Sequence, residues 1–345
     1  MKYIFPYALI GVLVLLTQCE RSSNNNTNED DNTISRSDSS YTGEWKIISD
    51  SSTAPSIKVE YAMDFNETNS KIIAYGGRSD SWKQINETWE LSTNDNLWSK
   101  LKTSDMPPWR HNMAIAYDNK RGVFYMFGGS NLNNSLNDFY KYEPKLNRWT
   151  KIPGDGPEGR QMHGMEYIPT SDELIVFGGR KTDGGAHFND TWIYKIEEEV
   201  WQKVNSNLNP EIQDHVSMTY VSTDDQVILF EYIEGNHDSR LWVFNPSNRQ
   251  WSEKLRSSMV LCDHTYLNHL PIFNVSILFG SNHQSNELET WLFDHTKNEW
   301  QSINTEMSAN HIEHADMVHI TGTNKLILHG GCCSENTLEL EIKKI

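Results

Sequence analysis

Three dipeptides that pair an acid with a histidine recur along the chain about fifty residues apart: Asp214-His215, Asp263-His264 and Glu313-His314. A histidine offers a ring nitrogen that ligates a metal or moves a proton near neutral pH, and a carboxylate beside it can orient the ring. Two readings are open. In the first, His215, His264 and His314 converge on a metal or an anionic ligand, with Asp214, Asp263 and Glu313 orienting them. In the second, each pair is a scaffold position whose ring is satisfied by a neighbouring backbone carbonyl. Strand alternation weighs against a metal, because successive residues of a strand point to opposite faces and an adjacent acid and histidine cannot both address one ion. For a general ligand rim the two readings balance.

Residues so far apart meet only if the chain returns to the same place at each interval, and the sequence does repeat at that period. In the unit from Gly159 to Val204, Met162 to Tyr167 reads as a strand. Glu173 to Phe177 is an apolar run stopped by Gly178-Gly179, Thr191 to Tyr194 is an aromatic strand, and Trp201 opens a fourth that ends near Val204. An aromatic followed at constant spacing by Trp occurs at Trp89 and Trp98, Tyr140 and Trp149, Trp192 and Trp201, Trp242 and Trp251, and Trp291 and Trp300. Trp192 is read as a core residue. The diglycine appears at Gly76-Gly77, Gly128-Gly129, Gly178-Gly179 and Gly330-Gly331, and degenerates to Glu231-Tyr232 and Gly280-Ser281, where another turn shape is expected. Upstream of each diglycine position, one column holds Val59-Glu60, His111-Asn112, Gln161-Met162 and then the three acid–histidine pairs.

The set of FGG, NDTW and a spaced second Trp resembles kelch repeats, over roughly residues 43 to 345. That resemblance implies an all-β fold, a six-bladed β-propeller of four-stranded antiparallel blades in the galactose oxidase-like central domain superfamily. The chain ends before the last repeat, with Leu338 in its aromatic column, can supply a fourth strand. Trp45-Lys46-Ile47-Ile48 is an orphan strand ahead of the first repeat. It is expected to complete blade 6 and so close the ring. In a propeller the first strands line the axis, so the acid–histidine column forms a ring. Arg78, Trp82, Arg180, His187, His237 and His283, in loops after the second strands, belong to the same face. Arg78 and Arg180 read first as surface ion-pair partners. Trp82 lies outside the repeating columns and is a candidate to stack on a sugar ring or anchor a partner.

The chain opens with Met1-Lys2, an apolar stretch from Ile4 to Leu16, and Leu16-Thr17-Gln18-Cys19, which resembles a bacterial lipoprotein signal. The resemblance implies a signal peptide over 1–18, lipidation of Cys19, and a membrane contact through that lipid alone. Gln18 stands where a smaller residue is usual, and an ordinary secretory peptide is the alternative. Residues 19–42 have almost no large apolar side chains and read as a disordered tether. Cys262, Cys332 and Cys333 remain, an odd number, with a Cys262 bridge to one of the vicinal pair as the first choice and a 332–333 bond as the second.

Thirty basic against 47 acidic residues give a formal charge of −17, which argues against nucleic acid, whose affinity rests on basic contacts to phosphate. Nucleophile-elbow, phosphate-loop and dinucleotide motifs are missing from the sequence, and no cofactor is implied. Three classes compete. One is a monomeric, envelope-anchored binding module that presents a loop-rich face to a glycan or protein. Another resembles kelch-type sialic acid mutarotases, for which Asp214, His215, Asp263, His264, Glu313, His314 and Arg180 could furnish acid, base and carboxylate clamp. The third, a copper oxidase resembling galactose oxidase, lacks an adjacent Tyr-His pair here. No constellation is complete, so the binding module is the expectation.

Overall fold

The computed structural model describes residues 40–345 apart from 51–53, 56, 58, 80, 183–184, 212–214, 234–237, 260, 262–263, 283, 286, 308–311, 333 and 335. Its strands form six antiparallel sheets. Blade 1 comprises Ala62–Asn66, Lys71–Tyr75, Thr88–Ser92 and Leu97–Leu101. Blade 2 comprises Ala114–Asp118, Val123–Phe127, Phe139–Glu143 and Arg148–Ile152. Blade 3 comprises Gly164–Ile168, Glu173–Phe177, Thr191–Lys195 and Val200–Val204. Blade 4 comprises Ser217–Val221, Gln226–Ile233, Asp238–Asn245 and Gln250–Ser257. Blade 5 comprises Tyr266–Leu270, Val275–Ser281, Leu288–Asp294 and Glu299–Ile303. Blade 6 takes Asp316–His319, Lys325–His329 and Thr337–Lys344 from the end of the chain.

Its fourth strand is Tyr41–Ser49, antiparallel to Thr337–Lys344 with Trp45 opposite Leu340 and Ile47 opposite Leu338. The seam is therefore where the orphan strand placed it. The strand starts within the stretch expected to be tether, and Thr305–Glu306 pairs parallel to it as a short fifth member. Closure gives the propeller six interfaces, and six apolar clusters fill them, one between each neighbouring pair of blades. That distribution explains the second strands. Val123–Phe127 and Glu173–Phe177 are buried at every position because a blade lies on both sides. Signal peptide, Cys19 and most of the tether lie outside the described residues. No helix among the described residues is long and apolar enough to cross a membrane.

The two aromatic columns have different jobs. Trp149 is fully buried and its Nε1 donates to Thr88 Oγ1 of the preceding blade at 3.1 Å; Trp251 does the same to Thr191 at 2.8 Å and Trp98 to Thr337 at 2.8 Å. Each lock uses the Thr of one repeat's NDTW-like segment and the second Trp of the next. Trp192, expected in the core, is instead only half-buried. Its Nε1 donates to Asp190 Oδ2 at 2.9 Å, and Lys203 Nζ lies 5.8 Å from its ring centroid. Trp192 packs at the edge of the cluster shared with blade 2, whereas Ile193, one position on, is buried in the cluster shared with blade 4.

The diglycines adopt the left-handed conformation, with φ of +66° and +89° at Gly128 and Gly129. A Cβ on Gly128 would stand 2.7 Å from the carbonyl oxygen of Arg160 in the next blade, to which Gly129 N donates at 2.9 Å. Glycine is required there by close approach and by backbone sign alike. Where the pair is lost, the expected change of turn is found: Gln226–Ile233 and Val275–Ser281 run on as strand through the former diglycine.

Candidate functional site

A channel of ≈ 440 Å³ runs inside the ring, lined by residues of all six first strands. At one mouth stand Glu60, Asn112, Met162, His215, His264 and His314, one from each blade. Consecutive blades are tied there through backbone. Glu60 N donates to His314 O at 2.9 Å, Asn112 N to Glu60 O at 2.8 Å, Met162 N to Asn112 O at 2.9 Å, and Val216 N to Met162 O at 3.1 Å. The residues making this ring are bent for it. Glu60, Asn112, Met162, His215 and His314 have φ of 58°, 53°, 58°, 49° and 60°, a conformation that costs a side-chain-bearing residue roughly 1–2 kcal/mol.

This geometry removes the argument from strand alternation. The acid–histidine column precedes the strands, which begin at Ser217, Tyr266 and Asp316, so neighbouring side chains need not point to opposite faces. The three histidines come together. The His215 and His264 ring centroids are 4.0 Å apart, those of His264 and His314 4.3 Å, and those of His215 and His314 6.3 Å. One ligand atom from each lies within 4.8 Å of the others, and all three side chains are half-buried. Of their acidic neighbours, Glu313 is half-buried and its carbonyl accepts from Cys332 N at 2.8 Å. Asp214, Asp263, His237 and His283 lie outside the described residues, as do Cys262 and Cys333, on which the disulfide expectation falls.

Across the mouth, Arg78 is an ion-pair partner, as its type suggested, but of another rim residue: its Nε is 3.0 Å from Glu60 Oε2. His111 Nδ1 approaches the same oxygen at 3.2 Å, and Arg78 Nη2 contacts His111 Nε2 at 2.6 Å. Asn112 Nδ2 adds a bond to Glu60 Oε1 at 3.3 Å. Burial works to raise the Glu60 pKa, yet the hydrogen bond from His111 and the surrounding positive charge prevail and hold it at about 2. Glu60, His111 and Asn112 were not singled out from the sequence. Their signal was the column they share with the three histidines.

Trp82 is 50% exposed, with Arg78 Cζ 5.3 Å from its ring centroid and the His314 ring 6.5 Å away. It thus spans the Glu60 cluster and the histidine cluster. Arg180 and His187 pair through backbone on the blade 3 loop, Arg180 also with Gln161. His187 is exposed and is not a member of the histidine cluster.

Deeper in the channel, sequence reading missed three carboxyls. Burial pushes Asp64 up to about 6 and Asp316 to about 7, and raises Glu166, with Asp64 reinforcing the effect on Glu166. Two of them are braces between blades: Asp64 Oδ2 accepts from Tyr117 N at 2.6 Å and Asp316 Oδ2 from Met63 N at 2.8 Å. Similarly engaged are Arg110 and Arg160, fully buried, whose Nη1 atoms reach Asp138 Oδ1 at 2.5 Å and Asp190 Oδ1 at 2.6 Å.

A closed ring of six four-stranded blades around a channel defines a β-propeller. The chain matches the model of the KLHDC2/KLHL20/DRC7 Kelch-repeats domain over residues 22–230 and 151–331, and it belongs to that family. It is 27% identical over 213 residues to Kelch domain-containing protein 2 of Bos taurus, covering 56% of this chain and 51% of that protein. To N-(sulfonatooxy)prop-2-enimidothioate sulfolyase of Thlaspi arvense it is 31% identical over 149 residues, 39% of this chain and 40% of that one. With Host cell factor 2 of Homo sapiens it shares 30% identity over 160 residues, 39% of this chain and 19% of the relative. The chain spans about half or less of the length of these curated relatives.

Proposed function

We propose that this chain is an envelope-anchored binding module that takes a segment of a partner protein at the channel mouth, with Trp82 as the aromatic anchor. The observation that carries the reading is Trp82 itself, half-exposed yet fixed between Arg78 and His314. A large aromatic already held in place loses little freedom on binding, which is what hot-spot residues share. Around it, one station holds Glu60, Asn112 and Met162 from three blades and histidine from the other three. A repeating scaffold whose rim changes character from one half to the other suits recognition of one particular sequence. Membership of the kelch family, whose propellers are protein-interaction modules, supports a polypeptide over a glycan.

A photo-crosslinking amino acid at position 82, and another at exposed Leu146 as a control, test this in cells that make the protein. One dominant protein adduct from position 82 alone is expected, weakened at least tenfold when Arg78 is replaced by Ala. Glycan-array binding that depends on Trp82 would replace the protein partner with a sugar. Accelerated exchange of sialic acid anomers by proton NMR, lost in His264→Ala, would replace the module with a mutarotase. Anchoring rests on the lipoprotein-like start. Cys19→Ser is expected to release the protein from the membrane fraction, and unchanged fractionation would refute it.

A further inference from the structure

The histidine cluster has a geometry that a scaffold position does not require. His215, His264 and His314 come from three different blades, yet one ligand atom from each lies within 4.8 Å of the others. We propose that they form a mononuclear site for a divalent transition metal ion of the imidazole-seeking class, three protein ligands with the remaining coordination left to water or a bound group.

Distance is the first argument. Zinc–nitrogen bonds of about 2.0–2.1 Å in a tetrahedral site put ligand nitrogens about 3.3 Å apart. The ligand atoms, all within 4.8 Å of one another, stand within about 1.5 Å of that separation. Rigidity is the second. The carbonyl of His314 is held by Glu60 N at 2.9 Å, and the residue after His215 donates to Met162 O at 3.1 Å, so two of the three Cα atoms are pinned to neighbouring blades. Pre-positioned donors are what a metal site needs from its scaffold.

Donor type decides what kind of ligand the cluster takes. The three rings, with centroids 4.0 and 4.3 Å apart along the rim, present imidazole nitrogens to one another, while the rim's Glu60 is engaged with Arg78 and His111. An all-nitrogen donor set suits Zn²⁺, Cu²⁺ or Ni²⁺ and not the oxygen-seeking Ca²⁺ or Mg²⁺. This inference stands apart from the partner proposed above, since it concerns the metal alone.

The test uses the full chain, purified without a polyhistidine tag, stripped of metal and titrated with Zn²⁺ by equilibrium dialysis. One Zn²⁺ per chain is expected, with Ca²⁺ failing to compete. His264→Gln should weaken binding by roughly two orders of magnitude, and the exposed His187→Gln should leave it unchanged. Substoichiometric zinc, or equal affinity in His264→Gln and the parent, overturns the site. Should that variant misfold, electron paramagnetic resonance of the unaltered chain with one equivalent of Cu²⁺ decides the matter. Three coupled nitrogens are expected, and a spectrum with none or one overturns the proposal.

Discussion

Blades 1 to 3 and blades 4 and 5 build the same four-stranded sheet by different means. In the first group the chain leaves the second strand through two left-handed glycines, which in blades 1 and 2 touch the next blade, Gly77 N on Arg110 O at 2.8 Å and Gly129 N on Arg160 O at 2.9 Å. In the second the same positions stay in strand, and Glu231, where blade 4 would have its first glycine, is buried and accepts from Trp242 Nε1 at 2.7 Å. One group ties blades together by backbone at the turn; the other lengthens its own hairpins. The difference reaches the channel mouth. Two of the three clustered histidines rise from blades 4 and 5, whereas the Glu60, Arg78 and His111 cluster rises from blades 1 and 2.

Both groups depend on the seam in blade 6, so breaking it should have the largest effect. Deleting Tyr41–Ser49 removes the partner of Thr337–Lys344 and exposes a sheet edge. Loss of a single cooperative thermal transition is expected by calorimetry. A melting curve like that of the parent would mean that the two groups hold together without closure.

Next in size is a pair of tryptophan truncations. Trp149→Ala should cost about 3–5 kcal/mol by urea denaturation, the usual range for a buried aromatic. Trp300 occupies the same column in blade 5 but faces a repeat with Leu241 in place of Thr, so no Oγ is available to its indole. Trp300→Ala should cost about 1 kcal/mol less, the value of one hydrogen bond. Equal losses would show that the Trp–Thr lock contributes nothing beyond burial.

A smaller contrast lies in the glycines. A Cβ at Gly129 would meet His111 O at 2.8 Å and Met113 Cβ at 2.9 Å, on a residue with φ of +89°. Gly129→Ala should therefore cost about 1–3 kcal/mol. Gly280, within a strand of blade 5, has no such sign, and its nearest obstacle is a methyl of Thr265 at 2.8 Å. Gly280→Ala should cost less than half as much. The reverse order would undo the distinction between the two kinds of turn.

What the sequence made legible were constraints that act at fixed spacing. The period, the diglycines, the second Trp column and the orphan strand at Trp45 each reflect one repeat of one sheet, and each is found in place. Orientation was less legible. Trp192 and Trp201 are both half-buried against the cluster between blades 2 and 3, where Trp201 packs on Phe139 of the previous blade with ring centroids 5.2 Å apart and Trp192 keeps its indole N–H on Asp190. The histidine cluster was visible as a column, but the strand-alternation argument failed because a left-handed residue at His215 and His314 precedes the strand. Nothing local in these residues announces that conformation. It is imposed by hydrogen bonds to the neighbouring blade, which become apparent only when the ring exists.

The smallest expected effect separates buried acids from buried histidines by pH. Asp64 in blade 1 is pushed up to about 6, and burial also raises Glu166 in blade 3. Histidines are displaced the other way, His163 in blade 3 and His269 in blade 5 to about 3 and His295 to about 4, chiefly through burial. Between about pH 4 and 6 the folded acids keep protons that the unfolded chain has lost, so their contribution to stability falls as pH rises. Over the same window the unfolded histidines bind protons that the folded ones refuse. Their contribution therefore rises with pH, and is lost as pH falls below about 6.5. The two slopes oppose, and each group can supply at most about 1.4 kcal/mol per pH unit. Glu166→Gln removes one falling component and should make stability climb more steeply from pH 4 to 6. His269→Gln removes a rising one and should flatten or invert the same curve. Urea denaturation at four pH values measures both, and parallel curves for the two variants would show that the buried acids and histidines do not pull stability in opposite directions.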